Sequence, residues 1–382
     1  MVDLLAFGAD AADLDALTAY AASPFTPIAD AVPLPDEPFV AVWRAWAQQA
    51  EDDGAFATLS RHLPQLAFPI AAGMSQASDY RDATLRGADV SGLPGATGLK
   101  LEQPEALRLV LHDTPAGAVP ALLPRGRADF ESLVRALAGR NEPVALLPSM
   151  GACTVQAYND WERLRDYQAS WMCGHPGEDW GAELARLQAH REVYQDRFLI
   201  LSDGDYSGVP ASQASVEASA WREMSARIRL LHECTHYVTL RLMGSARNNA
   251  IDELICDFVG FSDVMGRFDA RLFLRGMGIS VEGAGAPGPS TCAEGGRLRQ
   301  YASSLTPTAF PVLCGLVREA ALTLERFDAA RPRTNDAVLD SVAFIWAMGT
   351  TSVVALAGDG GLERLLEAFA RARAEVRRRD QA

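Results

Sequence analysis

Residues 215–244, SVEASAWREMSARIRLLHECTHYVTLRLMG, decide how the second half of this chain folds. Trp221, Met224, Ile228, Leu231, Val238 and Leu242 recur at spacings of three, four and seven, which predicts one apolar stripe on a long helix. Met243-Gly244 marks its end, because glycine readily takes the left-handed conformation that stops a helix. A second helix is expected from about Asn249, burying Ile251, Leu254, Ile255 and Phe258. Helical patterning returns over 309–326, 335–357 and 361–378. The interruption is 276–296, GMGISVEGAGAPGPSTCAEGG, too rich in glycine and proline for regular structure. A loop of ~20 residues inside a compact domain is uncommon and usually functional, so a lid or substrate-selecting flap is expected there.

Upstream the texture changes. The first part of the chain mixes short amphipathic stretches such as FVAVWRAWAQ (39–48) with proline-rich connections. Apolar runs at 107–112 (LRLVLH) and 144–147 (VALL) are expected as strands flanking a helix over 127–138. A helical span over 158–194 breaks at 174–177, and FLIL (198–201) follows as a strand. Strands first and helices later give an α+β chain. Its expected parts are an N-terminal mixed α/β region, 1–195, and a mainly helical catalytic region, 196–382.

Composition excludes partners more than it selects them. The 382 residues carry 35 Lys plus Arg against 49 Asp plus Glu, a net charge of −14, which argues against a nucleic-acid reader. Lys100 is the only lysine, so no other position can supply a catalytic amine. The N-terminal sequence lacks a basic segment and an apolar core, and the six cysteines show no repeated spacing. A cytoplasmic protein with free thiols is therefore expected. The uncharged run 341–358 contains Gly349, Thr350, Thr351 and Ser352 and has no positive flank. It reads as a buried helix, with no membrane anchor.

Histidine carries the most information. There are six, and two of them stand four residues apart in His232-Glu233-Cys234-Thr235-His236. Helical residues at that spacing differ by ~40° in azimuth and ~6 Å in rise, so both imidazoles can face one ion. Glu233 lies ~100° round on the same turn, within reach of a water on that ion without being a ligand. A catalytic zinc site needs three protein ligands and an open position. Glu253, in the apolar run of the next helix, is the candidate third ligand. Asp257, one turn further on, is the candidate to hold a ligand histidine by its other ring N–H.

H-E-x-x-H, a short turn, then E-x-x-x-D on a helix resembles the thermolysin-type gluzincin metallopeptidases. The resemblance covers about 215–261 and leaves 1–195 unaddressed. It implies zinc held by His232, His236 and Glu253, Glu233 as general base, and Asp257 as a partner behind a ligand. It also implies that the strand at 198–201 is an edge strand along which substrate lies. Three departures stand out. Only sixteen residues separate His236 from Glu253, Asp252 stands where such enzymes often have Asn, and no histidine follows His236 to stabilise an oxyanion. Tyr301, Arg297 and Arg299 are the candidates for that task, since a phenol or guanidinium can donate to an oxyanion.

The expected function is a zinc-dependent hydrolase acting on an amide or peptide bond of a small peptide or metabolite. The competing expectation is a non-hydrolytic enzyme of small-molecule metabolism, a lyase, cyclase or oxygenase. Two histidines and one carboxylate also suit iron or manganese. A binding protein with a purely structural metal would have no use for Glu233. Other signals are weak. Cys173-Gly174-His175 offers only two ligands, Ser149-Met150-Gly151 lacks the first glycine of a nucleophile elbow, and Gly276, Gly278 and Gly283 match no dinucleotide fingerprint.

Overall fold

The computed structural model describes residues 4–22, 25, 31–245 and 249–380. Among them are fifteen α-helices and one four-stranded mixed sheet, an α+β chain with a mostly helical C-terminal region. It divides into two compact units, Pro35–Gly204 and a second made of Met1–Leu34 with Asp205–Ala382. Sequence patterning placed the division at 195/196. The chain instead leaves the first unit after its last strand has been completed, and the N-terminal helices join the C-terminal unit. Thr306 donates to Asp13 at 2.6 Å, and the Ala250 N–H donates to the Tyr20 hydroxyl at 3.0 Å.

The unit Pro35–Gly204 is built on strands β1 (Arg108–His112), β2 (Val119–Leu123), β3 (Ala152–Asn159) and β4 (Gln195–Leu201), in the order β1-β2-β4-β3. β1 and β3 run antiparallel to their neighbours, while β2 and β4 pair in parallel at Ala121↔Leu199 and Leu122↔Ile200. β4 is thus an interior strand with both edges paired, not an edge strand open to an extended substrate. The run at 144–147 forms no strand, and Leu147 is 63% exposed. β2 takes that place despite Pro120, because the parallel ladder begins only at Ala121, one residue past the missing N–H. The expected helical span from 158 begins instead at Trp161, since Tyr158 and Asn159 complete β3. Phe39, Trp43, Trp46, Leu59, Phe130, Phe198 and Ile200 fill the core. Each such side chain contributes about 1.5–3 kcal/mol by leaving water.

In the second unit the predicted stripe produces a helix at Ala218–Met243, capped by Glu217 and ended by Gly244 in the left-handed region. Trp221, Ile228, Val238 and Leu242 are buried. The next helix, Ala250–Met265, starts where the Asn249 side chain accepts the Asp252 N–H. Residues 246–248 of the connecting turn lie outside the described residues. The two helices run antiparallel: His236 meets Asp252, His232 meets Asp257, and Arg227 meets Asp263. Gly260 sits against Ile228, where a Cβ would approach the Ile228 carbonyl oxygen to 3.1 Å. That close approach lets side chains from both helices share one small volume.

The uncharged run 341–358 divides between helices Ala337–Gly349 and Val353–Ala357 and is largely buried. Among the described residues no helix is long and apolar enough to cross a membrane. The glycine-rich segment 276–296 is anchored rather than loose. Buried Arg318 donates to the carbonyls of Glu282 and Ala286, Glu319 accepts the Gly285 N–H, and Ile279 bridges to Cys292. The expected flap is a segment fastened to the helix Ala309–Ala330.

Candidate metal centre

The long helix and its antiparallel neighbour bring His232, His236 and Glu253 together. The two Nε2 atoms lie 3.2 Å apart. Glu253 Oε2 is 3.5 Å from His232 Nε2, and Oε1 is 3.5 Å from His236 Nε2. The opposite edge of each ring faces a carboxylate. His232 Nδ1 is 2.7 Å from Asp257 Oδ1, and His236 Nδ1 is 3.1 Å from Asp252 Oδ2. A proton on each Nδ1 satisfies those carboxylates and leaves both Nε2 lone pairs pointing at the common space. All three acids are buried. Glu253 Oε2 makes no hydrogen bond, although the Arg297 guanidinium stands 3.3 Å away, and a cation would complete its shell.

A second donor set deserves comparison: ligand atoms of His232, His236 and Cys256 all lie within 4.8 Å of one another. The Cys256 sulfur, however, sits 3.4 Å from His236 Nδ1, on the ring edge that faces Asp252. Burial also pushes the Cys256 thiol well above its ordinary pKa, which disfavours the thiolate that a metal needs. Glu253 is better prepared. Burial alone would raise its pKa, but His232, Arg297 and His236 outweigh that and keep the carboxylate ionised. The residues therefore fit a divalent ion held by two imidazoles and one carboxylate.

Behind His232 stands a residue that the sequence reading missed. The Tyr206 hydroxyl donates to Asp257 and lies 2.9 Å from His232 Nδ1. It reaches there because one face of the long helix holds its loop. Trp221 donates to the Val209 carbonyl, Ser225 Oγ accepts the Tyr206 N–H, and Arg229 donates to the Asp205 carbonyl. The spacing of Trp221, Ser225, Arg229 and His232, four, four and three, was the available signal. Buried Ser225 and Arg229 in an otherwise apolar register announce a polar segment packed across them. Asp252 was noticed only as a departure from a pattern, yet it backs His236 as Asp257 backs His232.

Arg297 lies in the centre, but in a different role from the one expected. Its guanidinium donates to Asp257 Oδ2 and to Ser207 Oγ, and sits 3.3 Å from Glu253 Oε2. Asp257 thus accepts from a phenol, an imidazole and a guanidinium, which together overcome burial and hold its pKa far below the carboxylate range. Arg299 is directed elsewhere, onto the Phe310 ring and the carbonyls of Cys292 and Ala293. Tyr301 is within electrostatic reach of Glu253, His236 and Glu233, and burial raises its pKa, so its hydroxyl stays protonated. Glu233 is half-buried on the same turn as His232. Tyr237 packs with Arg241. In the other unit Cys173 is exposed and His175 stacks on Trp171, with no third ligand gathered among the described residues.

Fold and site together define an α+β protein with a candidate metal centre between two antiparallel helices. Over residues 3–360 the chain matches the model of a family described as "Family of unknown function (DUF7005)", and it belongs to that family. No curated protein and no solved structure matches it.

Proposed function

We propose that this chain is a zinc-dependent hydrolase that cleaves an amide or peptide bond in a small peptide or metabolite. The observation that carries the reading is the convergence of His232 and His236 Nε2 on the Glu253 carboxylate, whose Oε2 makes no hydrogen bond, with each ring backed by its own carboxylate. Backed imidazoles of this kind are characteristic of ligands to a catalytic ion. Zinc bound there would supply Lewis acidity toward a carbonyl and lower the pKa of water toward ~7. Glu233 then serves as the base that takes the water proton and returns it to the leaving amine. Tyr301 keeps its proton and can donate to the developing oxyanion. This division of labour is that of the thermolysin-type gluzincins, with a tyrosine in place of the missing histidine. The acidic composition, with a net charge of −14, accords with a small-molecule or peptide substrate rather than a nucleic-acid partner.

The competing reading is a non-hydrolytic enzyme, a lyase, cyclase or oxygenase, using the same 2-His-1-Glu set with iron, manganese or zinc. What favours it is the commitment of Arg297 to Asp257 and Ser207, which leaves Tyr301 as the one remaining candidate oxyanion donor from the sequence reading.

Metal analysis of protein purified without chelator separates the possibilities. About one zinc per chain is expected, lost in Glu253→Gln and retained in Cys256→Ser. The reverse pattern would transfer the site to the cysteine. Stoichiometric iron without zinc would favour the non-hydrolytic reading. Glu233→Gln should keep its metal yet lose cleavage of a short-peptide library followed by mass spectrometry. Unchanged cleavage in that variant would remove Glu233 as the base.

A further inference from the structure

The unit Pro35–Gly204 holds a cavity of about 630 Å³, within the usual range for small-molecule sites. Its wall reverses the charge of the chain around it. Against a net charge of −14, the lining presents three guanidiniums, from Arg86, Arg165 and Arg191, and no carboxylate. They come from three separate segments: the end of helix Ser78–Arg86, helix Trp161–Gly174, and the short turn Arg191–Val193. Each is only partly spent within the protein. Arg86 pairs with Asp82, Arg165 donates one N–H to the Gly87 carbonyl at 3.0 Å, and Arg191 donates to the Gln188 carbonyl at 3.4 Å. A guanidinium has five N–H donors, so most remain for a ligand. Three such groups exceed what one carboxylate can use and suit the several oxygens of a phosphate.

The rest of the wall is aromatic and amide-bearing. Trp161 is fixed in place, its indole N–H donating to the Thr84 carbonyl at 3.0 Å. Gly87 makes room for it, since a Cβ there would meet the Trp161 ring at 3.0 Å. Trp180 lines the cavity as well, held in contact with Trp171 and Tyr167. Tryptophan faces stack planar rings without discriminating strongly between them. Gln168 and Gln188 add carboxamides, each with a donor and an acceptor, to the paired Asn159 and Gln195. That combination matches the edge of a heterocycle that carries both kinds of group.

We infer that this cavity binds a nucleoside monophosphate, with the phosphate on Arg86, Arg165 and Arg191 and the base against Trp161 and Trp180. It is a second site, and it does not rest on the reading of the metal centre.

Isothermal titration of the full chain with AMP, GMP, CMP and UMP tests it, with inorganic phosphate and the four nucleosides as partial probes. At least one nucleotide should bind about tenfold or more tighter than phosphate or its own nucleoside, because each partial probe engages one half of the wall. Arg165→Ala/Arg191→Ala, both at exposed positions, should weaken it at least about tenfold. Trp180→Ala should abolish the preference over phosphate, and His232→Ala should change nothing. No nucleotide binding tighter than phosphate would overturn the inference. So would nucleotide binding that survives the double arginine variant.

Discussion

Tyr206→Phe is the most direct test of the idea that the centre is held from behind as much as from in front. The substitution removes one hydroxyl and no other atom, and the loop keeps its anchors on Trp221, Ser225 and Arg229. What is lost is a buried hydrogen bond to the Asp257 carboxylate, a class worth about 1.5–3 kcal/mol. Asp257 retains donors from His232 and Arg297, so the lower end applies, about 1.5 kcal/mol. Urea unfolding of chelator-stripped protein should show that loss. Metal affinity should fall as well, because the hydroxyl and the carboxylate jointly orient the His232 ring. Removing such a partner typically costs about tenfold or more. Competition for zinc against a chromophoric chelator measures this part. Asp257→Asn should be worse on both counts, since it removes the negative charge and one of the two acceptor oxygens that three donors share. If Tyr206→Phe stays within about 0.3 kcal/mol and about twofold of the parent, the hydroxyl is packing rather than support.

Three further outcomes follow from particular contacts. Burial, only partly offset by Arg163, raises the Asp196 pKa to about 7, so the folded unit Pro35–Gly204 binds this proton more tightly than the unfolded chain. The stabilisation is present below the unfolded value of about 4 and is lost as pH rises through about 7. Asp196→Asn, which keeps an acceptor for the Trp43 N–H, should flatten the loss in urea unfolding at pH 5 and pH 7.5; an unaltered slope would place the titration elsewhere. Arg318→Ala should release the glycine-rich segment and expose 282–288 to limited proteolysis, leaving Glu319 without its buried partner. Resistance equal to that of the parent would show that the Ile279 bridge and the Ser290 N–H, which donates to the Pro311 carbonyl at 2.9 Å, suffice. Zinc should raise the thermal midpoint of the chelator-stripped protein, by the equivalent of about 4 kcal/mol at a thousandfold excess over Kd. An unchanged midpoint would count against a metal that binds only the folded state.

The helical half was legible because its period is written over long stretches. The stripe from Trp221 to Leu242 located one helix, Asn249 and the apolar run after it located the next, and four-residue spacing put both imidazoles on one face. The β half was less legible for a physical reason. Short buried strands lack alternation, so VALL at 144–147 and VPALL in β2 look alike, and Pro120, which has no N–H to donate, disguises the one that pairs. Register and edge status depend on partners far away in sequence, which is why β4 was expected at an edge and lies inside. In the site, His232, Glu233, His236, Glu253 and Asp257 could be placed on the two motif helices from spacing, but the part Asp252 plays beside His236 could not. Tyr206 and the true contacts of Arg297 could not, because each reaches the centre from a loop whose path is set by tertiary packing.

The charge pattern explains why these groups belong together. In direct contact with the two imidazoles are three buried carboxylates, Asp252, Glu253 and Asp257, and the Arg297 guanidinium is paired with two of them. With neutral rings, ionised carboxylates would outnumber the guanidinium, although burial raises the Asp252 pKa, and such a buried deficit is costly unless something cancels it. Proton uptake is one answer. Burial opposes it at His236, while the Asp252 carboxylate beside Nδ1 raises that ring's pKa. A divalent cation would be the other, supplying positive charge where the two Nε2 atoms and a Glu253 oxygen that makes no hydrogen bond already converge. The two answers exclude each other, since a protonated Nε2 cannot be a ligand, so metal binding should release protons. A solvated pair of helix faces would have no reason to bury this excess of negative charge around two histidines. The cation site proposed above would account for it, through the same residues that would hold the ion.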